Sequence, residues 1–190
     1  MDCVEIYYLN IEKFLPYISE SELDLFVDDK IFNSQKRKRQ YVFGRLLLRH
    51  VLKKYGIDYS NIIIQNKKPC LKNGEIFFSI SHSENIVLVA FYKNNIGVDI
   101  EYMKERDFSK VSSRYGLTIN NHDKIGFYTF WTKFEAEIKL QEKAFSSYSS
   151  VFLKDFMLTV SIAKLFDIAS SLKITEVEYE YMDYRSLVIL

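Results

Sequence analysis

Two periods of hydrophobic and polar alternation divide this chain into strands and helices. Val4 to Leu9 is dense in β-branched and aromatic residues and predicts an opening strand. A helical patch near Ile11 to Ile18 and a short helix over Glu20 to Phe26 follow. From Ser34, which has an N-cap side chain, to Lys54 the pattern is helical, with Leu47, Leu48, Val51 and Leu52 facing a core and Gly56 as the stop. Asn61 to Gln65, a Lys67-Lys68-Pro69 turn and a strand over Ile76 to Ser81 come next, the last running into His82 and Ser83. Ile86 to Tyr92 and Ile96 to Glu101 read as two further strands.

A charged connector after Glu101 leads to a short helix, and then to a long one, Phe127 to Lys143. In that helix Phe127, Trp131, Phe134 and Ile138 recur at helical spacing and predict the buried stripe, with Thr132, Glu135 and Lys139 on its flank. Glu135 and Lys139 at i, i+4 have the spacing of an ordinary surface pair. Val151 to Leu158 and Val160 to Phe166 predict a strand pair, Ile174 to Tyr181 alternates cleanly, and Arg185 to Leu190 reads as a closing strand. The order of elements predicts an α+β fold with antiparallel sheets.

Composition narrows the class. The 190 residues are 48% hydrophobic and 16% aromatic, with 6 Gly and 2 Pro, which suits well-filled helices and sheets rather than a disordered or repetitive chain. Net charge is +1, so electrostatic recognition has to be local, and binding to nucleic acid through a broad basic surface is not expected. There is no run of eighteen apolar residues and no basic leader, so a soluble, cytoplasmic protein without a membrane partner is expected. Cys3 and Cys70 lack a C-x-x-C partner and are expected as free thiols.

Candidate chemistry sits in three places. The helix after Ser34 carries Lys36, Arg37, Lys38, Arg39, Arg45, Arg49, Lys53 and Lys54 with no carboxylate of its own. Such a run is either a solvated basic face or a site for a small polyphosphate. Ser81, His82 and Ser83 put hydroxyls and an imidazole at a strand end, an oxyanion-binding set or a hydrogen-bonded structural one. In IGVDIE, Gly97, Asp99 and Glu101 share one face. Two carboxylates about 6.6 Å apart along a strand repel by roughly 2–3 kcal/mol at an effective dielectric near 20 and by well under 1 in water. In a cleft they call for a hard cation such as Mg²⁺, and Gly97 would leave room for a ligand beside them.

Taken in order, RKRQYVFGRLLLRHVL, NKKPCL, FSISHS, IGVDIE and FWTKFEAEIK resemble the blocks of the 4′-phosphopantetheinyl transferases, of the long, Sfp-like type. The resemblance runs from about Arg37 to Lys143. It implies a pseudo-twofold fold of two similar halves, 1–101 and 102–190, each a small antiparallel sheet packed with helices, with the active site between them. It also implies a monomeric enzyme that transfers the phosphopantetheine arm of coenzyme A to a serine of an apo acyl, aryl or peptidyl carrier protein and releases 3′,5′-ADP. Asp99 and Glu101 would hold Mg²⁺ with Glu135 as a third carboxylate and possible base. Lys139 would neutralise phosphate charge, and Ser81, His82 and Lys68, with Lys36 and Lys38 among the basic run, would contact coenzyme A. The pattern departs at Phe134, where the family has lysine. A divergent module that binds coenzyme A or carrier proteins without catalysis is the alternative, and a basic-helix RNA-binding protein a third reading.

Overall fold

The computed structural model describes residues 3–27, 30–66, 68–72, 74, 76–117, 123–143, 145–163 and 167–182. In chain order these form β1 (Val4–Asn10), α1 (Ile11–Phe14), α2 (Glu20–Asp24), α3 (Gln35–Lys54), β2 (Ile62–Gln65), β3 (Lys68–Leu71), β4 (Phe77–Ser83), β5 (Ile86–Tyr92) and β6 (Ile96–Tyr102). They continue with α4 (Ser109–Arg114), α5 (Lys124–Leu140), β7 (Ser146–Phe152), β8 (Phe156–Ile162) and β9 (Leu172–Glu176). The class is α+β, as expected. The first sheet has the order β4-β5-β1-β9, the second β6-β8-β7, and β2-β3 is a separate hairpin. All pairings are antiparallel except β1 with β9, which run parallel.

The strands read as continuous apolar runs where they are covered on both sides. In β5, Val87, Val89 and Phe91 meet Phe43, Leu47 and Val51 of α3, while Leu88 and Ala90 turn to the other side and meet Val98, Ile100, Leu158 and Val160 of the second sheet. The layers are therefore α3, first sheet, second sheet, α5. β6, which spans residue 101, pairs with β8, and β9, from beyond that residue, pairs with β1. Among the described residues no helix is long and apolar enough to cross a membrane. Cys3 and Cys70 are unbridged.

Local chemistry explains the helix ends. Ser34 Oγ accepts from the Arg37 N–H and starts α3, and Gly56 takes φ 69° just past its end. Asp123 caps α5 by accepting from Gly126 N–H, and Gln141 ends it in the left-handed region, three residues short of the expected stop after Lys143. The buried face of α5 is Tyr128, Thr132, Ala136 and Leu140 together with Phe127. This corrects the expected stripe: Phe127 is buried, Trp131 and Phe134 are half-buried, and Ile138 is 53% exposed.

Three further expectations are corrected. The expected strand pair over 151–166 is β7 and β8, shifted toward the N-terminus, with a tight turn at Leu153 and Lys154, both at positive φ. β7 escapes a hydrophobic reading because one of its faces is made of hydroxyls, Ser147 meeting Ser161 and Ser149 meeting Thr159, each at 2.7 Å, while Tyr148 and Phe152 pack on the core from the other. Lys68 and Pro69 lie in β3, not in a turn. The alternating run from Ile174 breaks after Glu176 into a 3-10 turn at Tyr179–Tyr181. Lys67, residues 164–166 and the expected closing strand 185–190 lie outside the described residues.

Candidate active site

A cleft of about 630 Å³ opens where α3, the β2-β3 hairpin, β4, β6 and α5 converge. β6 sends Asp99 and Glu101 into it, α5 sends Trp131, Glu135 and Lys139, and β4 sends Ser81 and His82. The period of two on β6 and the i, i+4 spacing on α5 bring these side chains together, since α5 lies directly over β6.

Lys139 is the centre of the polar contacts. Its Nζ donates to Asp99 Oδ1 at 2.7 Å, to Ser81 Oγ at 3.0 Å and to the Val98 carbonyl at 3.0 Å. The Asp99 side chain is 7% exposed and that of Lys139 29%, so this is a largely desolvated pair. Ser81 Oγ donates to the same Asp99 Oδ1 at 2.8 Å, while Asp99 Oδ2 is buried without a hydrogen-bond partner. Glu101 Oε2 accepts from Ser83 Oγ at 2.9 Å. Burial pushes the Glu101 carboxyl above its usual range, and the Asp99 charge pushes the same way against the Ser83 hydrogen bond.

His82 is accessible from the cleft yet closely surrounded by protein. Desolvation, then the Lys139 charge and more weakly Arg37, holds its imidazole below the ordinary value. It is thus a neutral ring at pH 7, able to donate one hydrogen bond. The lowered pKa makes stability fall as pH drops below the unfolded value near 6.5, and the loss continues until the folded-state pKa is passed. His82→Gln is expected to flatten the dependence of urea-unfolding free energy on pH between about 7 and 5. An unchanged slope would show that His82 is not the group responsible.

The cleft's cationic wall differs from the expected one. Lys36 pairs with Glu84, and Lys38 with Asp24 at 2.5 Å and with Glu20 at 3.6 Å. Lys36 lines a separate groove of about 510 Å³ beside Glu84 and Lys104. The basic run of α3 has no carboxylate of its own, but α2 and the β4-β5 turn supply them. Lys30 and Arg45 line the cleft instead, both over the Tyr41 ring, at 4.3 and 4.5 Å from its centroid. Lys30 and Tyr41 carry no motif signal in the sequence, and Arg45 does not stand out from the basic run, although Tyr41 and Arg45 share a helical face at i, i+4. Lys68 Nζ donates to the Ile96 carbonyl at 2.9 Å and to Asn95 Oδ1 at 3.1 Å. Burial draws its pKa down to about 8. It lines a cavity of about 440 Å³ that shares Pro69, Ile80 and Lys139 with the main cleft.

Two flanking expectations are also corrected. Thr132 is buried, with its hydroxyl donating to the Tyr128 carbonyl and meeting Thr159 Oγ1 at 2.7 Å. Gly97 leaves no room for a ligand, because a Cβ there would lie 1.9 Å from the Ala136 carbonyl oxygen.

Among the described residues no three His, Cys, Asp or Glu side chains form a ready-made metal centre. The donor set nevertheless suits a hard divalent cation: an unpartnered buried Asp99 Oδ2, with Glu101 and Glu135 lining the same cleft.

Residues 33–91 match the family model described as the 4′-phosphopantetheinyl transferase N-terminal domain. The chain is 29% identical over 148 residues to the 4′-phosphopantetheinyl transferase Sfp of Bacillus subtilis (strain 168), covering 71% of this chain and 65% of that protein. It is 32% identical over 130 residues to the 4′-phosphopantetheinyl transferase ffp of Bacillus subtilis, covering 60% and 57%. The matches thus span 57% to 65% of the relatives' own lengths. In motifs, in fold class and in these matches, the chain is similar to the Sfp-like 4′-phosphopantetheinyl transferases.

Proposed function

We propose that this protein transfers the 4′-phosphopantetheine arm of coenzyme A to a serine of an apo acyl, aryl or peptidyl carrier protein, with Mg²⁺, releasing 3′,5′-ADP. The observation that carries the reading is the convergence of Asp99, Glu101, Glu135 and Lys139 in one cleft walled by Lys30 and Arg45. The carrier serine oxygen forms a bond to the phosphorus of the arm, and the pyrophosphate P–O bond to 3′,5′-ADP breaks. Glu135, held on a rigid helix at the cleft, takes the serine proton. Lys139 stabilises charge that grows on the phosphate oxygens, and Arg45 and Lys30 hold the polyphosphate in place. Asp99, Glu101 and Glu135 would hold Mg²⁺, which when bound supplies charge stabilisation to the phosphoryl oxygens. The expected cytoplasmic setting and monomeric state belong to the same proposal.

The test is to incubate the protein with coenzyme A, Mg²⁺ and a panel of apo carrier proteins and to weigh the carriers by mass spectrometry. A carrier that gains the mass of the arm supports transfer. No gain on any carrier, with coenzyme A still bound by calorimetry, supports a binding module instead.

Phe134 does not weaken the transferase reading by its position. It lies among Tyr115, Phe130 and Trp131, with ring centroids 5.2, 6.0 and 6.1 Å away, and is not part of the cleft wall. Ring pairs of this kind contribute about 0.5–1.5 kcal/mol each. Phe134→Lys, which loses three such pairs, is expected to lower the melting temperature by at least roughly 3 °C and to leave transfer no faster. A faster variant would mean that a lysine from this position reaches the phosphates.

A further inference from the structure

β4 and β6 lie side by side but belong to different sheets, and serine side chains join them where a backbone ladder is missing. The hydroxyl oxygens of Ser79, Ser81 and Ser83 accept from the N–H groups of Val98, Ile100 and Tyr102 at 3.1, 3.3 and 2.9 Å. These serines are all buried, and the period of two on both strands keeps them in step. A serine hydroxyl has one proton and two lone pairs. Ser81 donates its proton to Asp99 Oδ1 and Ser83 donates its own to Glu101 Oε2, at 2.8 and 2.9 Å. Each of these two hydroxyls therefore ties a carboxylate to the backbone N–H of the residue that follows it. One contact fixes the strand and the other aims the acid.

We propose that this serine row is the device that orients the two β6 carboxylates, with Ser83 as the positioning residue of Glu101. The proposal rests on the transferase reading above, in which those carboxylates face a divalent cation. Ser83 is the cleaner probe, because Ser81 also serves Lys139.

The experiment uses the full chain and Mn²⁺ as the probe, with free Mn²⁺ read by electron paramagnetic resonance, so that it does not depend on turnover. Ser83→Ala is expected to weaken Mn²⁺ binding about tenfold, the scale of one lost hydrogen bond to a charged group. Ser83→Thr keeps the hydroxyl and is expected to bind within about threefold of the unaltered protein. Ser161→Ala removes a buried serine that meets Ser147 at 2.7 Å outside the cleft, and is expected to bind as the unaltered protein does. In the transfer assay, Ser83→Ala should lower kcat with KM for coenzyme A unchanged. Unchanged Mn²⁺ affinity in Ser83→Ala, equal weakening in Ser161→Ala, or a folded Ser83→Thr that fails to recover would each overturn the positioning role while leaving the transferase reading in place. An unaltered protein that binds no Mn²⁺ would remove the metal reading and the role with it.

Discussion

Asp99→Asn is expected to lower carrier modification by at least about a hundredfold and to destabilise the protein by about 3 kcal/mol. The change preserves shape and removes charge. Asp99 Oδ1 is the short acceptor for both Lys139 and Ser81, at 2.7 and 2.8 Å, and Asp99 is nearly buried. Without the carboxylate, Lys139 loses the anion that holds its ammonium at the cleft, and a displacement of about 1 Å in such a group costs about a hundredfold in rate. Removing one partner of a buried pair costs about 3–5 kcal/mol, and the 29% exposure of Lys139 places this case at the low end. Carrier mass gain and urea unfolding measure the two effects separately. An Asp99→Asn variant as active as the unaltered protein would remove Asp99 from the site, and an unchanged unfolding midpoint would mean that water already screens the pair.

Local signals in the sequence located most elements because they are set by neighbours along the chain. The Ser34 cap, the Gly56 stop and the alternation of IGVDIE each have a local cause, and the structure has each of them. What was not legible depends on partners far away in sequence. The basic run of α3 reads as unneutralised because Glu20, Asp24 and Glu84 come from other elements. β7 reads weakly because one of its faces bonds through serines to Thr159 and Ser161. For the site, Asp99, Glu101, Glu135, Lys139, Ser81 and His82 were named from the motifs and meet in one cleft, whereas Lys30, Tyr41 and Arg45 needed the fold to place them there. The α5 stripe is hidden for a related reason. Large aromatics at helical spacing predict the core face, but where α5 meets the second sheet the residues are Thr132 and Ala136, small ones that allow a close approach.

Gly97→Ala tests that close approach, and the expected result is a loss of at least about 3–4 kcal/mol, or roughly 6–16 °C in melting temperature. A methyl group on Gly97 would sit 1.9 Å from the Ala136 carbonyl oxygen and 2.8 Å from the Leu140 nitrogen. Both are backbone atoms of α5, so no rotamer change relieves the collision, and the helix has to move away from β6. That movement carries Glu135 and Lys139 away from Asp99, since the first two ride on α5 and the third on β6. Gly97 therefore sets the distance between the two elements that build the site, although it supplies no functional atom. Transfer is expected to fall even at temperatures where the variant remains folded, with the greater loss in kcat. A Gly97→Ala protein with unaltered melting temperature would show that α5 does not lie this close to β6, and the Lys139–Asp99 contact would lose its structural basis with it.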